Sequence, residues 1–438
     1  MKKQILQSVF GKVAVVLFAV VVSAVSAPSA AQYDILLKGG YVIDPANNIN
    51  SKMDVAVEKG KIARVGRNIT GSEAEKVVDV SGYYVTPGLI DNHVHCFSTF
   101  PGRYISVIAD HHHFQSGVTT VVDAGTSGAL DFPVFKKEID RSKVRILAFL
   151  NIVAHGMNGD YENDHTDFNV KLAVETAKKY PDIIVGLKTA HYRNTNFDEF
   201  HGPWTIADSV LAAGRITNLP IMYDLHPASG SGRYPDRSFR DLVLKKLRPG
   251  DIYTHCFAYQ FPIVLENGKV NPDAIKAKER GVYFDVGHGA GAFTFRRAVP
   301  AIKQGFYPYS ISTDLHIGNV NGPVVNLANV MSKFLCMGMP LEEVIRCSTM
   351  NPAHEINRPD LGALSVGAVA DIAVLELHEG EFGYTDIGRG KIIGDKKLKC
   401  VLTMFGGEVV YNLSGVSYPL WQNISKDHRY WSKPVPGR

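Results

Sequence analysis

The chain has 438 residues, of which 45% are hydrophobic and 21% charged, with a formal charge of +4. These values exclude a disordered or fibrous protein and fit one large globular domain with a smaller companion. No run of Lys and Arg has the length expected of a nucleic-acid face, so a nucleic-acid partner is excluded as well.

Taken in chain order, Lys2 and Lys3 lead into an apolar run from Val13 to Ala27, after which come the small residues Ser29, Ala30 and Ala31. Basic, apolar and small, in that order, is the pattern of a secretory signal peptide over residues 1–31. The apolar run has 15 residues, short of the ~20 that a helix needs to span the hydrocarbon core. Cleavage and a periplasmic or secreted product, with no stable membrane insertion, are therefore expected. The five cysteines, Cys96, Cys256, Cys336, Cys347 and Cys400, are odd in number and scattered, which is no disulfide framework. They are expected to be mostly buried apolar residues, with a Cys336–Cys347 bridge as the alternative.

From Asp34 to Asp79 the chain alternates short apolar runs with Gly-containing turns, and the same grammar returns between Leu361 and Tyr411. We expect these distant segments, 32–86 and 355–415, to complete one composite β-sandwich. Residues 416–438 form a tail without assignable period. Between the two segments, over 87–354, eight short apolar runs alternate with amphipathic stretches, the pattern of βα units around a parallel sheet. The runs are Tyr84–His95, Val118–Asp123, Arg145–Val153, Asp182–Lys188, Leu219–His226, Asp251–His255, Val282–Val286 and Tyr309–Asp314. Eight units favour a closed α/β architecture, a (β/α)8 TIM barrel, and in such barrels the chemistry sits at the strand C-termini.

The run ends are polar in a pattern. His93 and His95 close the first, Lys188 the fourth, His226 the fifth, His255 the sixth and Asp314 the eighth. Strand alternation puts His93 and His95 on one face, where two imidazoles can meet one ion. Imidazole and carboxylate together suit Zn2+, Mn2+, Fe2+ or Co2+. A lysine among such groups makes no electrostatic sense as a cation, but a neutral amine there can take up CO2 to become a carbamate whose two oxygens bridge two ions. His111, His112 and His113 invite a metal reading too. Their place in a helical stretch makes a hydrated face the better one.

Pro87-Gly-Leu-Ile-Asp-Asn-His93-Val-His95 resembles the first-strand motif of the amidohydrolase superfamily, which includes dihydroorotases, hydantoinases and aminoacylases. Phe284-Asp-Val-Gly-His288-Gly-Ala-Gly-Ala-Phe293, with Ile311-Ser-Thr-Asp314-Leu-His316, resembles more narrowly the deacetylase branch related to acetyl-mandelate esterases. The resemblance covers nearly all of the mature chain and implies the sandwich-plus-barrel plan with two divalent ions, commonly zinc. By position, His93, His95 and Asp314 would hold one ion and His226 and His255 the other, with carboxylated Lys188 between them. It implies metal-assisted hydrolysis, in which water activated by the cations attacks an amide or ester carbonyl and Asp314 takes the proton and returns it to the leaving group.

The substrate implied is a small acylated carboxylate, an N-acyl amino acid or O-acyl hydroxy acid. A cyclic-amide hydrolase is the enzymatic alternative, and a non-catalytic binding protein on the same barrel the other. His288, in a Gly-rich loop after the seventh run, is expected to face the substrate. Tyr192 and Arg193, just past Lys188, are expected to bind its carboxylate. Assembly into a homo-oligomer rests on the family resemblance only.

Overall fold

The computed structural model describes residues 31–99, 105–189, 203–224, 245–258 and 263–425. Two sheets account for its strands. One is mixed and eight-stranded, built from β1 (Tyr33–Asp44), β2 (Ile49–Glu58), β3 (Lys61–Gly66), β4 (Ala74–Asp79), β5 (Tyr84–Pro87), β13 (Ile372–Thr385), β14 (Lys391–Phe405) and β15 (Glu408–Asn412). The other holds β6 (Leu89–Val94), β7 (Val118–Ala124), β8 (Arg145–Asn151), β9 (Ile184–Lys188), β10 (Ile221–Tyr223), β11 (Ile252–Tyr253) and β12 (Tyr283–Phe284), side by side in chain order.

In the mixed sheet the two ends of the chain meet at β5 and β13, which pair antiparallel from Ile372 opposite Pro87 to Leu375 opposite Tyr84. Alternation along β1, β2, β13 and β14 sends Leu37, Val42, Val55, Val57, Val374 and Leu402 into a shared apolar core. The single apolar run Tyr84–His95 thus serves two sheets: it changes sheet at Gly88, where an added Cβ would press on the side chains of Thr119 and Asp371. Periodicity could not show that break, because both halves of the run are buried.

The strands of the second sheet are parallel throughout and read as near-continuous apolar runs because both faces are covered. One face packs Ile90, Val122, Phe149, Met222 and Ile252 against each other. The opposite face packs Val121, Leu150, Leu187 and Tyr253 against helix residues such as Ala173, Ala177 and Val210. Helices Val170–Lys179, Pro203–Thr217 and Pro272–Glu279 alternate with its strands, and Leu327–Cys336 follows them. Residues 309–315 bond to both outer strands. Val286 N–H donates to the Ser310 carbonyl at 3.1 Å, and His95 N–H donates to the Leu315 carbonyl at 3.0 Å.

This register positions the site. Phe149, Met222 and Ile252 line the face just described, and two residues on, at the strand C-termini, the same face carries Asn151, Asp224 and Thr254. Lys188 stands opposite both Asn151 and Met222 and joins them there. All five cysteines are free thiols. Of the histidine run, His111 is exposed, but His113 is buried, its Nδ1 2.9 Å from the Ala109 carbonyl, so the hydrated face expected there ends one residue early.

Candidate metal centre

His93 lies near the end of β6 and His95 just past it, and Asp314 is carried to them by the 309–315 segment. Asp314 N–H donates to the His93 carbonyl at 2.6 Å. The buried carboxylate of Asp91 fastens the same segment, accepting from Thr313 N–H at 3.0 Å and from Thr313 Oγ1 at 2.6 Å. Burial pushes the Asp91 carboxyl up to about 7. Asp314 and His255 both have left-handed backbones, at φ 49° and 58°. For residues other than glycine that conformation is uncommon and gathers at functional sites.

The side chains converge. Asp314 Oδ1 lies 3.0 Å from His95 Nε2 and 3.7 Å from His93 Nε2, yet it is buried and makes no hydrogen bond. Two ligands of one tetrahedral cation, each about 2.1 Å from it, stand about 3.4 Å apart. The two separations bracket that value, and a buried oxygen without a hydrogen bond is what a cation would satisfy. Burial works against ionisation of Asp314, but His93, His95 and His255 hold its carboxyl well below the usual range. Burial lowers His93 to about 4, so its ring is neutral at neutral pH and offers a lone pair.

Each imidazole is aimed by its other nitrogen. His93 Nδ1 is 2.9 Å from Thr254 Oγ1 and 3.3 Å from Asp285 Oδ2. His95 Nδ1 is 2.7 Å from Thr126 Oγ1, and His255 Nδ1–H donates to the Gly287 carbonyl at 2.6 Å. Partners of this kind fix tautomer and ring orientation in metal sites and leave Nε2 for the ion. Asp285 is held in turn by the hydroxyls of Thr254, Ser310 and Ser312, at 2.6, 2.8 and 2.6 Å. Sequence reasoning missed Thr126, Thr254, Asp285 and Gly287, because a histidine's partner comes from another strand and leaves no mark in spacing.

Lys188 is buried at 1% exposure. Its stem lies against Gly125, where an added Cβ would stand 2.7 Å from Lys188 Cγ on a backbone with φ +82°; only glycine leaves that path open. His255 rests against His93, their ring centroids 5.0 Å apart. Its Nε2 is 3.5 Å from Asp224 Oδ2, a residue the sequence reading passed over in favour of His226. His226, Tyr192 and Arg193 lie outside the described residues.

His288 departs from expectation. It is fully buried, stacked on Phe293 at 4.4 Å. Its Nδ1–H donates to the Gly289 carbonyl at 3.0 Å and its Nε2 accepts from Lys333 Nζ at 2.8 Å. With both nitrogens engaged, the imidazole props the Gly287–Gly289 turn from behind instead of facing a substrate. The turn needs glycine at 289: φ is +54° and an added Cβ would fall on the Asp314 carboxylate. Lys333 completes its three donors on the Pro323 and Thr385 carbonyls, at 2.9 and 2.8 Å. Lys333→Met, which keeps length but strips these donors, is expected to destabilise the protein by about 2 kcal/mol in urea unfolding, since buried acceptors lose their partners. An unchanged midpoint would show that the three contacts contribute nothing net.

The amidohydrolase family model matches residues 292–410. A deacetylase of Enterococcus faecalis is 30% identical over 384 residues, 87% of this chain and all of the relative. One of Brucella anthropi is 34% identical over 342 residues, 76% of this chain and 81% of the relative. Among solved structures, an adenine deaminase superposes with a TM-score of 0.77 at 29% identity, covering 87% of this chain and all of that one.

Proposed function

The chain belongs to the amidohydrolase superfamily and is a metal-dependent hydrolase acting on C–N bonds, and from that premise we propose that it is an exported deacetylase with two divalent cations, zinc foremost. Its substrate in this reading is a small acylated carboxylate, an N-acyl amino acid or O-acyl hydroxy acid. The observation that carries the reading is the buried, hydrogen-bond-free Asp314 Oδ1 between the Nε2 atoms of His93 and His95. The similarity to full-length deacetylases supports the acyl substrate.

In this reading the parallel sheet closes as a (β/α)8 barrel through residues 309–315, with 32–86 and 355–415 as the composite sandwich. His93, His95 and Asp314 hold one ion. His255 would hold the other, together with Lys188 in its carboxylated form. Divalent cations bound there would supply polarisation of the scissile carbonyl and acidification of water. The Asp314 carboxylate would take the proton released from water and hand it to the leaving amine or alkoxide. Thr126, Thr254 and the Gly287 carbonyl keep the imidazoles aimed, so no reorganisation is needed as charge develops. Among the described residues no helix is long and apolar enough to cross a membrane. Export rests on Lys2, Lys3 and the apolar run after them, with residues 1–31 removed.

Elemental analysis of the purified mature protein, together with a screen of acylated amino and hydroxy acids, tests the proposal. About two equivalents of a divalent metal, and hydrolysis abolished by a chelator and restored by zinc, are expected. A fully active protein without metal would sink it.

A further inference from the structure

Asp224, which neither the sequence reading nor the family likeness assigns, stands beside His255 just past the end of its strand. Its place follows from register. Met222 stands opposite Lys188 on one side and opposite Ile252 on the other, so Asp224, two residues on, shares their face at the strand's C-terminal end. Its backbone is tied directly beside Lys188: Asp224 N–H donates to Thr189 Oγ1 at 3.1 Å. The side chain is buried at 4% exposure, and Oδ2 stands 3.5 Å from His255 Nε2. That separation is close to the edge of about 3.4 Å expected between two ligands of one tetrahedral cation. His255 Nδ1 is already committed to the Gly287 carbonyl, so Nε2 is the nitrogen left to face both Asp224 and an ion.

From this geometry, and resting on the two-cation reading above, we propose that Asp224 binds the second ion together with His255 and Lys188. His226 is then not required as a ligand.

The test is metal content and cobalt spectroscopy of the full-length mature protein. Asp224→Ala is expected to fall from about two equivalents to about one after dialysis against metal-free buffer, with affinity for the second Co2+ at least about thirtyfold weaker, whereas His226→Ala keeps both. Asp224→His guards against a mere folding defect: it should regain the second equivalent and shift the visible Co2+ bands as nitrogen replaces oxygen. Circular dichroism of each variant checks that it is folded. An Asp224→Ala protein that keeps two equivalents at wild-type affinity, or an Asp224→His protein whose cobalt spectrum is unchanged, overturns the assignment. If wild type binds only one ion, the assignment of Asp224 falls while the hydrolase reading stands; if it binds none, the metal centre itself falls.

Discussion

Asp314→Asn is expected to lower kcat by about 10^3-fold, within the range that loss of a positioned acid–base group produces. Asparagine keeps the shape, and its amide oxygen can still turn toward the Nε2 atoms of His93 and His95. It cannot accept a proton. Asp314 suits the role because its carboxylate is buried beside the Nε2 atoms of His93 and His95, and because Asp91, through Thr313, fixes the segment that carries it. The assay is steady-state hydrolysis of an acylated amino acid, with metal content measured on the same samples. A variant with wild-type metal and kcat within about tenfold of wild type would remove Asp314 from proton transfer and leave it as a ligand only.

How far the site could be read in the sequence depended on what kind of information each residue carries. His93, His95 and Asp314 were legible because they end apolar runs, and run ends are where a parallel sheet of βα units gathers its chemistry. Asp224 was not, since it sits inside the run Leu219–His226, whose strand in the structure stops at Tyr223. Boundaries are the weakest part of any reading by periodicity, and the run was read to His226 although the strand ends at Tyr223, one residue before Asp224. The change of sheet at Gly88 was hidden for a related reason: two buried strands in succession look like one.

His288 shows a different limit. A histidine in a glycine-rich loop beside a site reads as a substrate contact until its partner is known, and Lys333 lies 45 residues away in sequence. Nothing in the local pattern around either residue announces that they meet. The same holds for Thr126, Thr254 and Asp285, which aim the imidazoles from other strands. The polar strand ends could be named from one sequence, but what orients each imidazole comes from other strands of the sheet.

Lys188→Ala is the complementary experiment, because it removes a group that bears on both proposed ions. It should cost about one metal equivalent and about 10^3-fold in kcat/KM, equivalent to about 4 kcal/mol of transition-state stabilisation. The lysine is buried beside Gly125 and stands in register between Asn151 and Met222, so truncation leaves a hole in the middle of the site and not a gap at its rim. A hole of that position makes a specific prediction. Millimolar acetate or propionate can place a carboxylate, two oxygens and a negative charge, where the carbamate would be, and should restore part of the activity and the missing equivalent. Neutral acetamide, of similar size, should not. Restoration by acetamide as well would mean that the lysine only fills space. An alanine variant with full metal and activity would show that no bridging group is needed either to hold the ions or for the chemistry.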